Sequence, residues 1–521
     1  MNKISSVALQ RPRKGWTWAL FGKQIALRVF NMCRLNFGYK EDYRPNSEPE
    51  RQEFTASYFD GPDNEFTFGR RPAADVTACS LCSRRTVLRA NILSIVSSLF
   101  VMTSRVLTGA YPNAAKMMAA LVVIFCAGPG HAAGIFDGPA INVATWFTWP
   151  RYQAAPATGI EWPPYKADRP GEALLTSLHA AGFKTIRLAV DPSPLIFFEG
   201  QQREALVAMF KETLGRLKKA GFNVIFDFAP NSRHSIWGDR ALLSPSNPTY
   251  LNRYADLVRE MSRYLSSFEP GSVALELINE PRVGCKGADQ ARWQDIVSNL
   301  VMQARAGSKT LPIVVSGGCA STPDGLIALN PKAFDDKNIF YTFHYYEPFS
   351  FTHQGAQFIP WADKYLDQVP WPYSRRPIEE PTTALHARLA ALRMDSAEVN
   401  KQFAAALNNL NRYYAAKHDA HSIESKFSSV KDWAVQNNIE PNRVFVGEFG
   451  VWKRHAGLPG ALCVDRAAWI GAVRQAAEQQ HFGWVFFHLD GPFGIVEPPG
   501  KIDPVVLHAL GLGPPAACPA N

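Results

Sequence analysis

A chain of 521 residues is too long for one ordinary domain but within reach of one large barrel with extensions; at 46% apolar with 13 tryptophans it can build a sizeable core and still line a cleft with indoles. The formal net charge of +9 does not mark a nucleic-acid binder. Residues 1–133 hold 17 Lys/Arg against 9 Asp/Glu and the rest hold 38 against 37, so the main body has no electrostatic footprint for phosphate backbones.

The first 133 residues read as a leader. Residues 1–75, rich in Arg, Pro, Asn and Glu without periodicity, have the pattern of disorder. Ser83-Arg84-Arg85-Thr86-Val87-Leu88-Arg89, ahead of an apolar stretch, resembles a twin-arginine export signal. A second export-like segment covers 102–133: Arg105 and Lys116, the run A-A-L-V-V-I-F-C-A, then small residues at 130, 132 and 133. The expectation is cleavage near Ala132 or Ala133, export to the periplasm or medium, and no stable membrane partner afterwards, because the run is far short of the roughly 20 residues of a spanning helix. Two such signals in series place the true start downstream of Met1. Cys33, Cys79, Cys82 and Cys126 fall in this leader, and Cys79-x-x-Cys82 has no second pair for zinc. Cys285, Cys319, Cys463 and Cys518 remain, an even set that permits disulfides in an exported chain. Cys285 and Cys319 follow neighbouring strands and are candidates for one bridge.

From residue 140 onward, apolar runs alternate with amphipathic stretches. Strands are expected at 141–145, 185–190, 224–228, 274–278, 312–316, 339–344, 444–448 and 484–488. Helices are expected at 171–181, 202–220, 249–268, 288–306 and 465–480, with a short one at 503–510. Two joints echo each other: in H-A-A-G-F-K-T-I-R-L (179–188) and K-K-A-G-F-N-V-I-F-D (218–227) a helix ends, a glycine takes a left-handed C-cap, and a strand begins. Eight alternations predict an α/β fold of the (β/α)8 TIM-barrel class, with 134–521 as one catalytic domain. No Gly-rich phosphate loop follows the first strand, which argues against a doubly wound sheet. The long gap 345–443, carrying an amphipathic helix over 395–414, reads as an insertion folded on the rim between strands 6 and 7.

Barrel chemistry gathers at the carboxyl ends of the strands. Here those ends carry Trp146, Arg187, Asp227, Asn279-Glu280, His344-Tyr345-Tyr346, Glu448 and Trp484, with no metal-ligand spacing and no Gly-x-Ser-x-Gly elbow. Two carboxylates across a barrel mouth suit glycoside hydrolysis, one protonating the departing oxygen while the other attacks the anomeric carbon or activates water. A cation beside one keeps it ionised, and the neighbouring negative charge keeps the other protonated.

The stretches I-N-V-A-T-W-F, G-F-K-T-I-R-L, L-I-N-E-P, F-H-Y-Y-E-P-F-S-F-T-H-Q-G-A, F-V-G-E-F-G and G-W-V-F-F, in register with the eight strands, resemble glycoside hydrolase family 5, the cellulase family of retaining barrel enzymes. The resemblance covers about 139–510. It implies Glu280 as general acid/base and Glu448 as nucleophile, with Asn279 on the sugar 2-hydroxyl. It further implies that Arg187 holds the nucleophile charged, that His344 and Tyr346 orient the two glutamates, and that Trp484 is the stacking platform. It implies an endo-β-1,4-glucanase acting on a β-glucan or related polysaccharide, as a monomer, with no cofactor and no metal. A mannanase, a β-1,3-glucanase or a non-catalytic carbohydrate-binding barrel are the alternatives. One position departs: Ala229 stands where the family has a histidine that touches sugar hydroxyls, and His234 is too far along to claim its place by spacing. Asp227 reads as a structural loop cap and Glu276 as a satisfied barrel carboxylate. Trp146 and Trp361 fit core or rim packing as well as sugar platforms, and His353-Gln354 read as positioning the rim loop.

Overall fold

The structure, a computed structural model, describes residues 138–519 apart from 154–158, 166–170, 232–233, 456 and 498–499. The leader, its export segments and its four cysteines lie outside the described residues. Strands β1 (Ala140–Phe147), β2 (Thr185–Val190), β3 (Asn223–Phe228), β4 (Val273–Glu276), β5 (Ile313–Ser316), β6 (Ile339–His344), β7 (Val444–Phe449) and β8 (Gly483–Phe486) are all parallel and close in chain order into a barrel. The main helices around it are α1 (Glu172–Ala180), α2 (Gly200–Lys219), α3 (Pro248–Leu265), α4 (Gly287–Gly307), α5 (Pro323–Ile327), α6 (Glu379–Ala390), α7 (Ser396–Ala416), α8 (Ala420–Gln436), α9 (Cys463–Gln479) and α10 (Pro504–Ala509). The (β/α)8 expectation holds. Among the described residues no helix is long and apolar enough to cross a membrane.

The strands read as nearly continuous apolar runs because both of their faces are buried. Outward side chains pack against the helices in one large cluster. Inward ones form a separate hydrocarbon plug of Ala140, Ile225, Ala274, Val314, Phe445 and Val485, with Phe340 against it. Side chains alternate along a strand, so the next inward layer is set two residues on: Asn142, Asp227, Glu276 and Thr342, with Arg187 as the register partner of Asn142. A layer of charge therefore rests on a layer of hydrocarbon. Asp227 caps no loop, contrary to the sequence expectation; two residues beyond Ile225, it lies inside the barrel 3.1 Å from the Arg187 guanidinium.

Four of the helices that lead into a strand end alike. Phe183, Phe222, Ile439 and Phe482 each donate a backbone N–H to the carbonyl five residues back, at 2.8–3.2 Å, after one left-handed residue. That residue is Gly182 or Gly221 in the two joints expected from sequence, and Asn438 (φ 56°) or His481 (φ 59°) in the other two. The gap 345–443 also holds more than one helix. Phe427 of α8 sits edge-on to Phe343 and Tyr345, and Trp433 edge-on to Tyr341, so α8 is the barrel's own helix against β6. The inserted material precedes it. Disulfides join Cys285 to Cys319, the candidate pair, and Cys463 to Cys518.

Two outcomes follow from this architecture. Replacing Arg187 with Met leaves Glu276 and Glu448 buried without their cation, and urea unfolding is expected to show a loss of about 3–5 kcal/mol; an unchanged midpoint contradicts the layer's role. Each disulfide closes a loop, of 34 and 55 residues by separation, so Cys285→Ser/Cys319→Ser or Cys463→Ser/Cys518→Ser is expected to lose up to about 4 kcal/mol by the chain-entropy relation, read as an earlier denaturation midpoint than that of the oxidised wild type.

Candidate active site

At the end of β4 the chain leaves its alternation. Asn279 donates its backbone N–H to the Phe228 carbonyl at 2.8 Å, and Glu280 then takes φ 42°, a left-handed conformation that strains any residue with a Cβ. The loop is braced from the β5 side. Cys319, Ala320 and Ser321 form a left-handed turn (φ 52°, 54° and 58°) whose amides donate to Val283 (2.6 Å, from Cys319) and Pro281 (3.1 Å, from Ala320), with the Cys285–Cys319 bridge closing the brace.

Glu448 reaches the mouth by a different device. Phe343 pairs with Val446, but His344 pairs with Glu448, so Gly447 is one extra residue, a β-bulge. Phe445 belongs to the inner plug; strict alternation would send Glu448 outward, and the bulge turns it in. Only glycine fits the bulge, since a Cβ on Gly447 would lie 2.3 Å from Thr342 Oγ1 and 3.2 Å from the His344 ring.

The two devices bring the side chains together. One oxygen of each carboxyl and a ring nitrogen of His344 lie within 4.8 Å of one another. His344 Nδ1 is 2.9 Å from Glu280 Oε1 and 3.6 Å from Glu448 Oε2. Glu448 accepts from Arg187 Nη1 (2.8 Å) on Oε1 and from the Tyr346 hydroxyl (2.9 Å) on Oε2. Asn279 Oδ1 accepts from Arg187 Nη2 at 2.8 Å. The Glu448 side chain is 8% exposed and that of Glu280 is 32% exposed, so Glu280 is the carboxyl that solvent or a ligand meets first. The same three groups are spaced to hold a metal ion, but the guanidinium on Glu448 already supplies positive charge there and repels a second cation.

The charge balance differs from the sequence expectation. Burial disfavours a charged Glu280, yet the hydrogen bond and charge of His344 outweigh it and, with Arg282 and Arg187, hold the carboxyl below its ordinary value. Burial pushes Glu448 up, against the pull of His344 and Arg187, and the Glu280 charge adds to the push. The expected directions are thus reversed in the free site, because Arg187 divides its charge among Asp227, Glu276 and Glu448 while His344 lies nearest Glu280. Burial also drives Asp227 well above the usual carboxylate range despite Arg187, and the nearby Glu276 and Glu448 charges reinforce it.

Of the residues singled out from sequence, Arg187, Asn279, Glu280, His344, Tyr346 and Glu448 meet at the mouth. Trp484 does not. Val485 belongs to the inner plug, so its neighbour faces the helices, where the Trp484 indole N–H donates to Glu478 of α9 at 3.3 Å. The inward position is Phe487, whose half-buried ring lies 6.2 Å from that of Tyr346. Strand alternation counted from Val485 is the signal that finds it. Trp146 is buried, and Trp361 is exposed on the rim. His234 does not replace the histidine missing at Ala229: its ring stacks on Tyr152 at 3.8 Å and its Nδ1 accepts from the amides of Ile236 and Trp237. Tyr152 in turn donates to Asp191, whose carboxyl burial pushes up to about 6.

Comparisons with known proteins agree with this fold. The family model for cellulase (glycosyl hydrolase family 5) matches residues 144–491. Endoglucanase 3 of Fibrobacter succinogenes is 23% identical over 361 residues, which are 67% of this chain and 50% of that protein. Endoglucanase C of Acetivibrio thermocellus is 29% identical over 212 residues, 40% of this chain and 59% of that one; the chain thus spans little more than half the length of these relatives. Among solved structures, an endoglucanase of the hyperthermophile Thermotoga maritima (TM-score 0.52, 17% identity) and the cellulose synthase subunit Z of Clostridioides difficile (TM-score 0.52, 20% identity) each cover 72% of this chain and 99% of their own, a likeness of fold. The matched segment spans Arg187, Asn279, Glu280, His344, Tyr346, Glu448 and Phe487, and the chain belongs to glycosyl hydrolase family 5.

Proposed function

We propose that this glycoside hydrolase is an exported, retaining, endo-acting β-1,4-glucanase in which Glu280 is the general acid/base and Glu448 the nucleophile. The observation that carries the reading is the approach of the two carboxyls within 4.8 Å at the mouth of a closed barrel. Retaining enzymes need about 5–5.5 Å between them, whereas inverting ones leave room for a water. The endoglucanase relatives support the glucan choice, and two disulfides suit an oxidising compartment.

In the first step one Glu448 oxygen attacks the anomeric carbon, the glycosidic C–O bond breaks, and the Glu280 proton passes to the departing oxygen. In the second, Glu280 takes a proton from water, the hydroxide oxygen attacks the same carbon, and Glu448 leaves as carboxylate. The two steps need a shared proton to start on Glu280. Partner chemistry favours that placement: Glu448 is gripped by Arg187, a permanent cation that favours the ionised carboxylate and has no lone pair to accept from a protonated one. His344, 2.9 Å from Glu280, acts on the charge of the acid. Asn279, oriented by Arg187, leaves its amide N–H groups for a sugar hydroxyl, and Phe487 takes the stacking place assigned from sequence to Trp484.

Hydrolysis of carboxymethylcellulose, mannan and laminarin tests the substrate class, with preference for the first expected and preference for either of the others refuting the glucan choice. Glu280→Gln is expected to lower turnover by about 10²–10⁴-fold, the range of a lost general acid, and Glu448→Gln by at least as much; wild-type-like turnover in either removes that residue from the chemistry. The pH dependence has a definite sign. A carboxyl held low gives up its proton at lower pH, so the basic limb of kcat/KM is set early by His344. His344→Asn removes the ring whose hydrogen bond and charge hold Glu280 low and is expected to move that limb to higher pH; a limb that stays or moves down contradicts the assignment.

A further inference from the structure

We propose that Trp361, with Phe349 and Phe358 beside it, is a distal stacking platform for the glycan chain a few sugar units from the bond cleaved, a proposal that rests on the Glu280–Glu448 mouth being the place of cleavage. Among the described residues the exposed large apolar side chains are unevenly placed. Trp149, Trp162, Ile236, Phe358, Trp361 and Leu458 all lie in loops that follow the strands, and every exposed aromatic is among them. Contiguous exposed apolar surface marks binding, and here it is gathered at the end of the barrel that holds the carboxylates.

A row of rings connects the two places. The Tyr346 hydroxyl donates to Glu448. Its ring meets the His353 ring at 5.2 Å, edge-on; His353 stacks parallel on Phe349 at 3.9 Å; and Phe349 meets Trp361 edge-on at 5.2 Å. Trp361 ends the row 52% exposed. Phe358 reaches the same histidine at 5.9 Å and is 45% exposed. The row is rigid and uncharged. His353 is buried, its Nδ1 lies 3.0 Å from Thr352 Oγ1, and burial pushes its pKa down to about 3, so the ring is neutral wherever a carboxyl pair works. Gln354 fastens the loop by donating to the carbonyls of Phe351 and Val369 and accepting from the Val369 amide.

The occupant follows from that continuity. A pyranose presents a face of C–H groups that covers a neutral ring, and its hydroxyls stay at the edge in water. A linear glycan gripped at Glu448 extends along whatever surface leaves the mouth, and on this side the exposed rings it meets are Phe358 and Trp361, held in place by the buried His353 beneath them. A preorganised indole on a tied loop loses little entropy on contact.

The test uses full-length protein carrying Glu280→Gln to prevent turnover, alone or with Trp361→Ala or Trp361→Tyr, and titrates cellobiose, cellotetraose and cellohexaose by calorimetry. Trp361→Ala is expected to weaken cellohexaose binding about tenfold, the effect of one lost aromatic contact with its buried area, with a loss that grows with chain length and is largely restored by tyrosine. Met302→Ala, an exposed residue on the outer face of α4, is the control expected to change nothing. Unaltered cellohexaose affinity in Trp361→Ala refutes the platform, and so does a loss equal at every length. The same ladder of manno-oligosaccharides separates the two readings. A parent that binds only that series refutes the glucan choice alone, and there too a Trp361 loss that fails to grow with length refutes the platform.

Discussion

All five N–H donors of Arg187 are engaged inside the barrel. Nε and Nη2 grip Glu276 at 2.7 and 2.8 Å, Nη1 serves Asn142 and Glu448, and Nη2 also reaches Asn279, all at 2.8 Å. Those partners stand on or directly after β1, β4 and β7, with Asp227 of β3 alongside. A planar fork with fixed donor directions can satisfy that set in one geometry only, which a flexible ammonium could not impose. One buried cation therefore fixes the relative positions of strands distant in sequence, and the position of Glu448 with them. It is also why a charged layer is tolerated over the hydrocarbon plug: burial works against the guanidinium, and Asp227, Glu276 and Glu448 together keep it charged.

The mouth is built from exceptions to the rules that build the barrel. Strand alternation brings Asn142, Arg187, Asp227 and Glu276 inward, but the two glutamates at the mouth need a broken register on β7 and a left-handed residue after β4. Both exceptions are held by neighbours. Gly447 leaves the space that Thr342 and His344 occupy, and the turn at Cys319–Ser321 holds the carbonyls of Pro281 and Val283. Backbone strain of this kind persists only where surrounding structure over-determines it. The disulfide beside Glu280 thus serves the placement of one side chain as well as the stability of the chain.

Most of the strand pattern could be read from apolar runs, since parallel strands buried on both faces are conspicuous in composition. For the same reason the facing of each residue could not be read. Trp484, Val485, Phe486 and Phe487 are all apolar, and only the burial of Val485 in the plug shows that Phe487, and not Trp484, looks into the mouth. The helix–strand joints at Gly182 and Gly221 were visible because glycine announces a left-handed cap, whereas Asn438 and His481 perform the same turn without that mark. Helix α8 was hidden in the long gap because its partners on β6 lie far back in the chain. Motif order brought out Arg187, Asn279, Glu280, His344, Tyr346 and Glu448. It could not show how one guanidinium is shared among three carboxylates, nor that His344 lies closer to Glu280 than to Glu448.

The account depends on Glu448 forming a bond to sugar while Arg187 and Tyr346 hold it. The most direct measurement is mass mapping of proteolytic peptides after incubation with an activated 2-deoxy-2-fluoro-β-cellobioside, which slows release of a glycosyl group from the protein. A glycosyl increment confined to the peptide carrying Glu448, and located on that side chain, is the predicted result. A label on Glu280 or Glu276, or no label under conditions where the unfluorinated cellobioside is cleaved, contradicts it.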